Sequence, residues 1–246
     1  MPRRHTIDLT IASLCCAVSL ACPTARAGCP PPYSGSGNAT YYTVSAQGAC
    51  SLANVDGETT AIVYTRWNGS AHCGECLRVT GPLGSTIVKV TDECPDCDHS
   101  ELDLSKGAFA KIGALPDGVI PISWQRVDCP VSGGLKLQVK DGVNPYWFTV
   151  LADDTRQGIA AIRAKEHSSA VWQPLTRLDY GYFNVTSSAP AGMQFPLSIE
   201  LTSISGEVLQ LSDAIHDATA GVTYPRVEQM SACSDRIFAH DFGSNQ

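Results

Sequence analysis

In the segment Val131-Ser132-Gly133-Gly134-Leu135-Lys136-Leu137-Gln138-Val139-Lys140, a short linker is followed at once by a strictly alternating stretch. Residues 131–134 have the composition of a loop, and residues 135–140 alternate apolar with polar or charged side chains. Strict alternation is typical of a β-strand with one face buried and one face exposed. The segment therefore predicts a linker at 131–134 and a β-domain that begins at residue 135.

The same alternation recurs further along the chain, at residues 197–201 (Leu-Ser-Ile-Glu-Leu) and 208–211 (Val-Leu-Gln-Leu). No long helical period occurs between residues 135 and 233. Several short alternating strands without helices are typical of an antiparallel sandwich. Residues 135–233 are therefore predicted to form an immunoglobulin-like β-sandwich, and residues 234–246 a tail without a structural pattern.

Before the linker, short apolar strands alternate with turns. The predicted strands, rich in β-branched side chains, are residues 61–64, 77–79 and 87–90. One helix is predicted after Ser105, which can cap its first turn, and Gly113 ends it. Residues 28–37 are rich in Pro, Gly and Ser and predict a lead-in, so a first domain is expected at 38–130. The fold class is mainly β.

The first 27 residues predict export. Residues 1–27 carry two early arginines, an apolar stretch and the site Ala25-Arg26-Ala27, which is the pattern of a secretory signal peptide. No later run reaches the roughly 20 apolar residues that span a bilayer. The mature protein is expected to be secreted and extracellular, with no membrane partner. An alternative is a lipid anchor, because Leu20-Ala21-Cys22 is similar to a lipoprotein cleavage site.

The formal net charge of −7 restricts the partners. A nucleic-acid-binding protein needs a basic face, so no nucleic-acid partner is expected. An acidic chain is repelled by acidic wall polymers such as pectin, which favours a neutral polymer. The sequence contains no phosphate-binding glycine loop, no H-E-x-x-H motif and no G-x-S-x-G elbow, and no cofactor is expected.

Eight of the eleven cysteines lie beyond the leader. They are Cys29, Cys50, Cys73, Cys76, Cys94, Cys97, Cys129 and Cys233. An even number in an exported chain indicates disulfides. The alternative is a four-thiolate zinc site, because Cys73-x-x-Cys76 and Cys94-x-x-Cys97 have its spacing. We favour disulfides and predict no metal, since a zinc site would leave Cys50 and Cys129 without an explanation.

Several short motifs together resemble the expansin family. They are Ala39-Thr40-Tyr41-Tyr42-Thr43, Cys73-Gly74-x-Cys76, Val90-Thr91-Asp92, Leu102-Asp103-Leu104-Ser105, Trp124-Gln125-Arg126-Val127, Lys140-Asp141-Gly142-x-x-x-Tyr146-Trp147 and Leu178-Asp179-Tyr180. Their order and spacing extend over roughly residues 38–232, and the chain is most similar to the microbial expansins. The resemblance implies a six-stranded double-psi β-barrel followed by a carbohydrate-binding β-sandwich.

The resemblance also implies a groove in the barrel. Thr40, Asp92 and Asp103 match positions that line the polysaccharide groove of expansins, and Tyr42 of the first-strand motif is assigned to the groove with them. Asp103 matches the general acid of the related endoglucanases, a carboxylate that expansins need for wall loosening. Bacterial relatives have a groove tyrosine at the position of Cys94, so that contact is missing here.

A second set of residues is implied on the sandwich. Tyr146, Trp147 and Tyr180 match the aromatic row with which expansins stack on cellulose, and Lys140 matches a nearby basic position. Adjacent side chains on a strand point to opposite faces, so a kink at Asn144-Pro145 would be needed to re-aim one of the first two. The remaining tryptophans, Trp67, Trp124 and Trp172, are assigned to packing.

The cysteine pattern of the plant members implies two disulfide pairs, Cys50–Cys73 and Cys76–Cys129. Two arrangements are left for the other cysteines: Cys94 with Cys97, or a longer Cys29–Cys233 link together with a local bridge. Each unstrained loop of this size would stabilise the fold by about 3 kcal/mol.

Hydrolysis with inversion needs one carboxyl group as acid and another as base. Asp103 is a candidate acid, but no Asp or Glu occurs from Cys29 to Val55, where the related endoglucanases have their base. The sequence therefore predicts a monomeric, non-enzymatic protein that binds cellulose or another neutral β-glucan or xylan and loosens the wall without hydrolysis. The alternatives are a lytic transglycosylase or weak endoglucanase that uses Asp103, and a pure carbohydrate-binding protein.

Overall fold

The structure, a computed structural model, describes residues 29–233; the predicted signal peptide and tail lie outside the described residues. The first part of this range is a closed barrel of six strands. They are β1 (Ser34–Tyr42), β2 (Thr59–Val63), β3 (Cys76–Gly81), β4 (Gly84–Cys94), β5 (Leu102–Ser105) and β6 (Ile120–Val127). The order around the barrel is β1-β5-β2-β4-β3-β6, with β1–β5 and β2–β4 parallel. The predicted double-psi β-barrel is confirmed.

The barrel closes around the side chains that alternate inward along its strands. In β6, Ile120, Ile122 and Trp124 are buried, whereas Ser123 and Gln125 are exposed. This period of two is the one that a strand with a single buried face requires. The buried residues of β6 join those of the other strands in one apolar cluster.

Strand β1 begins at Ser34, inside the stretch 28–37 that we predicted as a lead-in. Its first residues pair with β6, and Gly35 lies opposite Trp124. A Cβ atom at position 35 would lie 2.6 Å from the indole ring, so only glycine leaves room for it. Gly35 therefore makes room for the Trp124 ring in the barrel. The same glycine and its serine neighbours leave the strand without the apolar pattern by which it could have been predicted.

Two helices accompany the barrel, α1 (Tyr64–Trp67) and α2 (Lys106–Ile112), with a 3-10 turn at Leu115–Asp117. Ser105 is the N-cap residue of α2, as predicted, but its side chain makes no capping hydrogen bond. Its hydroxyl accepts a hydrogen bond from the Gly57 amide at 3.0 Å, and the Asp56 carboxylate instead accepts one from the Gly107 amide in the first turn of α2 at 2.6 Å. Within residues 29–233, no helix is long and apolar enough to cross a membrane.

The second part of the chain consists of two sheets around their own apolar cluster. The strands are β7 (Lys136–Val139), β8 (Trp147–Asp153), β9 (Ile159–Glu166), β10 (Gln173–Pro174), β11 (Thr176–Arg177), β12 (Phe183–Thr186), β13 (Leu197–Ser203), β14 (Val208–Ile215) and β15 (Thr223–Pro225). One sheet has the order β10-β9-β13-β14 and the other β11-β12-β8-β7-β15. The two sheets face each other across the cluster, which is the predicted sandwich.

The eight cysteines beyond the leader form four disulfides. The pairs are Cys29–Cys233, Cys50–Cys73, Cys76–Cys129 and Cys94–Cys97. The two pairs that the family pattern implies are therefore present, together with the long link and a local bridge. Since all eight sulfurs are in disulfides, none of them is a thiolate that could hold zinc, and the zinc alternative for the two C-x-x-C pairs is wrong.

The barrel and the sandwich pack directly against each other. Leu151 of β8 and Tyr182 beside β12 are buried in the cluster of the barrel rather than in that of the sandwich. Lys89 of the barrel lies 3.2 Å from the Asp153 carboxylate of the sandwich. The apolar core of the barrel thus continues across the junction into the sandwich.

Candidate functional site

Four neighbouring barrel strands bring three polar side chains into one line. Thr40 of β1 is opposite Asp103 of β5, Asp103 is opposite Ala61 of β2, and Ala61 is opposite Asp92 of β4. Adjacent strands are about 4.8 Å apart, so only the small side chain of Ala61 separates the two carboxylates. Thr40, Asp103 and Asp92 are each partly exposed, and we call these three residues the groove row.

Asp103 is the acidic centre of the groove row. The Thr40 hydroxyl donates a hydrogen bond to its Oδ1 at 2.7 Å. Burial raises the pKa of Asp103; the hydrogen bond from Thr40 opposes this effect, and the nearby charges of Glu101 and Asp92 add to it. A carboxyl group that holds its proton more tightly than an exposed aspartate is suited to donate that proton to a ligand oxygen.

Asp92, the other carboxylate of the row, is held by its own loop. Its Oδ1 accepts hydrogen bonds from the amides of Ala49 at 2.7 Å and Glu93 at 3.0 Å, and the Asn54 amide group lies 3.5 Å from Oδ2. Asp92 therefore anchors the loop over the groove row and also presents a negative charge to it.

Tyr42 lies two residues beyond Thr40 on β1, and its hydroxyl is buried. Burial raises the pKa of this hydroxyl to about 12, and the charge of Asp92 contributes in the same direction. The phenol is therefore neutral at physiological pH and can act only as a neutral hydrogen-bonding or packing group. The structure brings Tyr42 close to the two carboxylates but turns its polar atom away from solvent.

On the sandwich, β8 separates its side chains into two faces. Phe148 and Val150 point into the sandwich core and are fully buried. Thr149 and Leu151 alternate with them on the outer face, where Leu151 is part of the cluster of the barrel. Trp147, at the start of the strand, is half-buried and packs against the sandwich cluster.

Tyr146 lies outside β8, in the tight turn that precedes it. Asn144 and Trp147 exchange two backbone hydrogen bonds of 3.0 and 3.1 Å across this turn, and the Asn144 side chain accepts a hydrogen bond from the Tyr146 amide at 2.9 Å. The Tyr146 ring is 50% exposed, and its hydroxyl donates to the Pro190 carbonyl at 3.0 Å. The turn thus removes the strand constraint that would force Tyr146 and Trp147 to opposite faces.

Lys140 and Tyr180 meet near the junction with the barrel. The Lys140 ammonium lies 5.9 Å from the centre of the Tyr180 ring, within the range of a cation–π contact. The ring of Tyr182 is a second neighbour of Tyr180, with centroids 6.0 Å apart. Tyr180 therefore contacts both a basic side chain and a buried aromatic ring. We call Tyr146, Trp147 and Tyr180 the aromatic platform.

Two larger clefts of the described surface do not coincide with the groove row. A cleft of about 490 Å³ lies over β1, β6 and β3 and is lined by Ser36, Arg78 and Gln125 among others. Another of about 390 Å³ lies at the junction and includes Lys89 and Asp154. The groove row therefore lies outside both of these clefts.

Comparisons with known proteins agree with this architecture. A family model described as lytic transglycolase matches residues 35–124, and one described as expansin-like protein middle domain matches residues 130–225. Expansin-like protein 5 of Dictyostelium discoideum is 31% identical over 188 residues, which are 71% of this chain and 77% of that protein. The chain belongs to the expansin family.

Other relatives support the assignment. Expansin-YoaJ of Bacillus subtilis is 31% identical over 141 residues, 57% of this chain and 58% of that protein. The crystal structure of a mutant Clavibacter michiganensis expansin in complex with cellohexaose has a TM-score of 0.71 and 29% identity, and the match covers 80% of this chain and 98% of that one. The likeness to this solved expansin extends over both the barrel and the sandwich.

The expansin fold brings several of the predicted site residues together. Thr40, Asp92 and Asp103 form the groove row, and Lys140 contacts Tyr180. The assignment of tryptophans to packing holds for the buried Trp67 and Trp124. It fails for Trp172, which is half-buried, belongs to neither apolar cluster of the described residues and has the Lys165 ammonium 5.0 Å from its ring.

Sequence reasoning missed the residues that join the two parts of this expansin. Ser51, Trp67 and Ser70 of the barrel donate hydrogen bonds to the loop that carries Tyr180. Serine and tryptophan side chains give no local signal of such a contact, because the acceptors lie more than one hundred residues away in the chain. Only the pattern of two consecutive β-domains indicated that a junction exists.

Proposed function

We propose that this chain is a secreted, monomeric expansin that binds cellulose or a related neutral cell-wall β-glucan or xylan and loosens the wall without hydrolysis. The groove row would hold a glucan chain on the barrel, and the aromatic platform, with Lys140, would dock on the surface of the polymer. Competition of these contacts with those between glucan chains would separate the chains. No metal, cofactor or nucleic acid has a role in this proposal.

The observation that carries the proposal is a candidate acid, Asp103, that has no carboxylate opposite it on strand β1. Asp103 has a raised pKa, as an acid requires. On the neighbouring strand β1, the residue opposite Asp103 is Thr40, and no Asp or Glu occurs from Cys29 to Val55. This segment is where the related endoglucanases have their base. An acid without an effective base supports binding of a glucan rather than its hydrolysis.

The ligand class follows from charge and surface chemistry. Exposed aromatic rings stack on the apolar faces of sugar rings, and the net charge of −7 disfavours acidic polymers. The related Clavibacter expansin was crystallised with cellohexaose, which supports a β-glucan. Secretion rests on residues 1–27, whose charged start, apolar stretch and A-x-A site match a signal peptide.

A binding and release experiment tests this function. The wild type is expected to co-sediment with cellulose and to extend wall strips under load without releasing soluble sugars. Asp103→Asn should still bind but lose wall extension, whereas the exposed Asp117→Asn should behave as wild type. Trp147→Ala should lower cellulose affinity about tenfold or more, the usual cost of deleting a stacking aromatic anchor. The matched change Trp172→Ala should have no effect.

Soluble oligosaccharides that accumulate in proportion to the protein would contradict the proposal. A second candidate function is lytic cleavage of peptidoglycan, favoured by the family model described as lytic transglycolase over residues 35–124. In that mechanism a single carboxyl group, Asp103, acts as acid and base. Release of anhydro-muropeptides by the wild type, and its loss in Asp103→Asn, would support this candidate instead.

A further inference from the structure

The loop that carries Tyr180 belongs to the sandwich in sequence but is held by the barrel. Three consecutive carbonyl groups of this loop each accept a hydrogen bond from a barrel side chain. The bonds are Ser70 Oγ to Leu178 O at 2.7 Å, Trp67 Nε1 to Asp179 O at 3.0 Å and Ser51 Oγ to Tyr180 O at 2.9 Å. Because the acceptors are backbone atoms, these bonds fix the path of the loop itself.

The next residue brings the two backbones into contact. Gly181 has a φ of +88°, and a Cβ atom there would lie 2.4 Å from the Cys50 carbonyl oxygen. Both the left-handed backbone and the close approach require glycine at this position. The barrel and the loop therefore fit together without space for any side chain between them.

On the barrel side, the contact is made by residues that also reach the groove row. The Ala49 amide donates to the Asp92 carboxylate at 2.7 Å. Cys50 forms the disulfide with Cys73, and Ser51 holds the Tyr180 carbonyl. Three consecutive residues thus connect a groove carboxylate, a covalent cross-link and the aromatic platform.

We propose that residues 49–51 are a positioning element that fixes Tyr180 relative to Asp92, so that the groove row and the aromatic platform contact one glucan chain simultaneously. This inference rests on the proposed function. Two sites on one ligand bind more tightly than either site alone only if the geometry lets both be occupied at once. The positioning element touches no sugar; it acts through the groove row and the platform.

The substitution Gly181→Ala tests the proposal, because the new Cβ would push the loop away from Cys50. The matched control is Gly206→Ala, since Gly206 has a φ of +81° but no atom within 4 Å of an added Cβ. Gly181→Ala is expected to raise the dissociation constant for cellulose about tenfold, within the range of a lost avidity effect. Gly206→Ala should bind as wild type. Wild-type affinity in a folded Gly181→Ala variant would overturn the proposal.

A double-mutant cycle separates positioning from general damage. If Trp147→Ala and Tyr180→Ala have already removed the stacking rings, no platform is left to position. Gly181→Ala should then change the remaining affinity by less than about twofold. If Gly181 acted independently of the aromatic platform, its substitution would lower the affinity by the same factor in both backgrounds, because independent effects are additive. An equal loss in both backgrounds would show that Gly181→Ala damages the barrel, and would contradict the positioning role.

A measurement without ligand keeps this inference separate from the proposed function. Residual dipolar couplings of the wild type should fit one alignment frame for the barrel and the sandwich. Ser51→Ala and Gly181→Ala should require two frames, whereas Ser45→Ala, whose hydroxyl bonds to the nearby Gln47 carbonyl, should keep one. A single frame in Gly181→Ala would overturn the positioning role. If the wild type fails to bind cellulose, the proposed function falls, and the couplings still decide the positioning role.

Discussion

At the scale of single residues, Asp103 is expected to destabilise the fold at neutral pH. Burial raises its pKa above that of an exposed aspartate, so the folded chain binds this proton more tightly than the unfolded chain. The resulting stabilisation is present at low pH and is lost as the pH rises through the raised pKa. Asp103→Asn cannot ionise but can still accept the Thr40 hydrogen bond. We expect it to unfold at a higher temperature than wild type at pH 7.

Calorimetry between about pH 3 and pH 8 measures this difference. The gain should disappear towards pH 3, below the ordinary pKa of aspartate of about 3.9, because the wild-type carboxyl is then neutral too. Asp117→Asn is the control, since that side chain is exposed and should show no such trend. A wild type more stable than Asp103→Asn at pH 7 would contradict the burial argument and would point to a structural role for the charge.

At the scale of elements, the disulfides should differ in their contribution to stability. Cys50–Cys73 spans 23 residues and Cys94–Cys97 spans 3. In the chain-entropy description, a cross-link stabilises by restricting the unfolded chain, which gives about 3.4 kcal/mol for the longer loop and about 1.6 kcal/mol for the shorter one. Replacement of both cysteines by serine in each pair, followed by urea unfolding, measures the two values. A larger loss from the shorter loop would contradict this order.

The sequence predicts elements well where one strand carries its own signal. The alternation of residues 135–140 and 208–211 marks β7 and β14, whose alternate side chains differ in burial. Residues 197–201 also form a strand, β13, but the expected exposed face is wrong there, because Ser198 and Glu200 are buried as well. Alternation fails for β1, because Gly35 and its serine neighbours carry no apolar pattern and the strand is defined by its pairing with β6. The predicted capping hydrogen bond from the Ser105 side chain is absent for a similar reason, since the fold brings the Gly57 amide to its hydroxyl.

The candidate site depends still more on long-range pairing. Asp103 and Thr40 are identifiable from their motifs, but the line through Ala61 to Asp92 requires the registers of four strands. No local pattern encodes a parallel pairing between β1 and β5, which are some sixty residues apart. The bonds from the barrel to the Tyr180 loop are likewise invisible in either segment alone. Family resemblance supplied the residues of the site, and the fold supplies their geometry.

At the scale of the whole molecule, net charge should separate the proposed neutral ligand from acidic polymers. The chain has a formal net charge of −7, and removal of the leader, with three arginines and one aspartate, would make it more negative. Contacts with uncharged cellulose do not depend on screening. The affinity of the protein for cellulose is therefore expected to change by less than about twofold between 0.1 M and 1 M salt. Over this range the Debye length falls from about 10 Å to about 3 Å.

Binding to polygalacturonate gels should show the opposite dependence, being negligible at low salt and rising only when repulsion is screened. Depletion assays on cellulose and on the gel, with the same protein and the same salt series, measure both dependences. A local basic surface on the protein would reverse the expected salt dependence of binding to the gel. Lys165 and Arg163 lie beside Trp172 on the sandwich, but Arg163 is already paired with the buried Glu200. Gel binding that is strong at low salt and lost at high salt, and weakened by Lys165→Ala, would show that this surface overrides the net charge and would remove the charge argument for a neutral ligand.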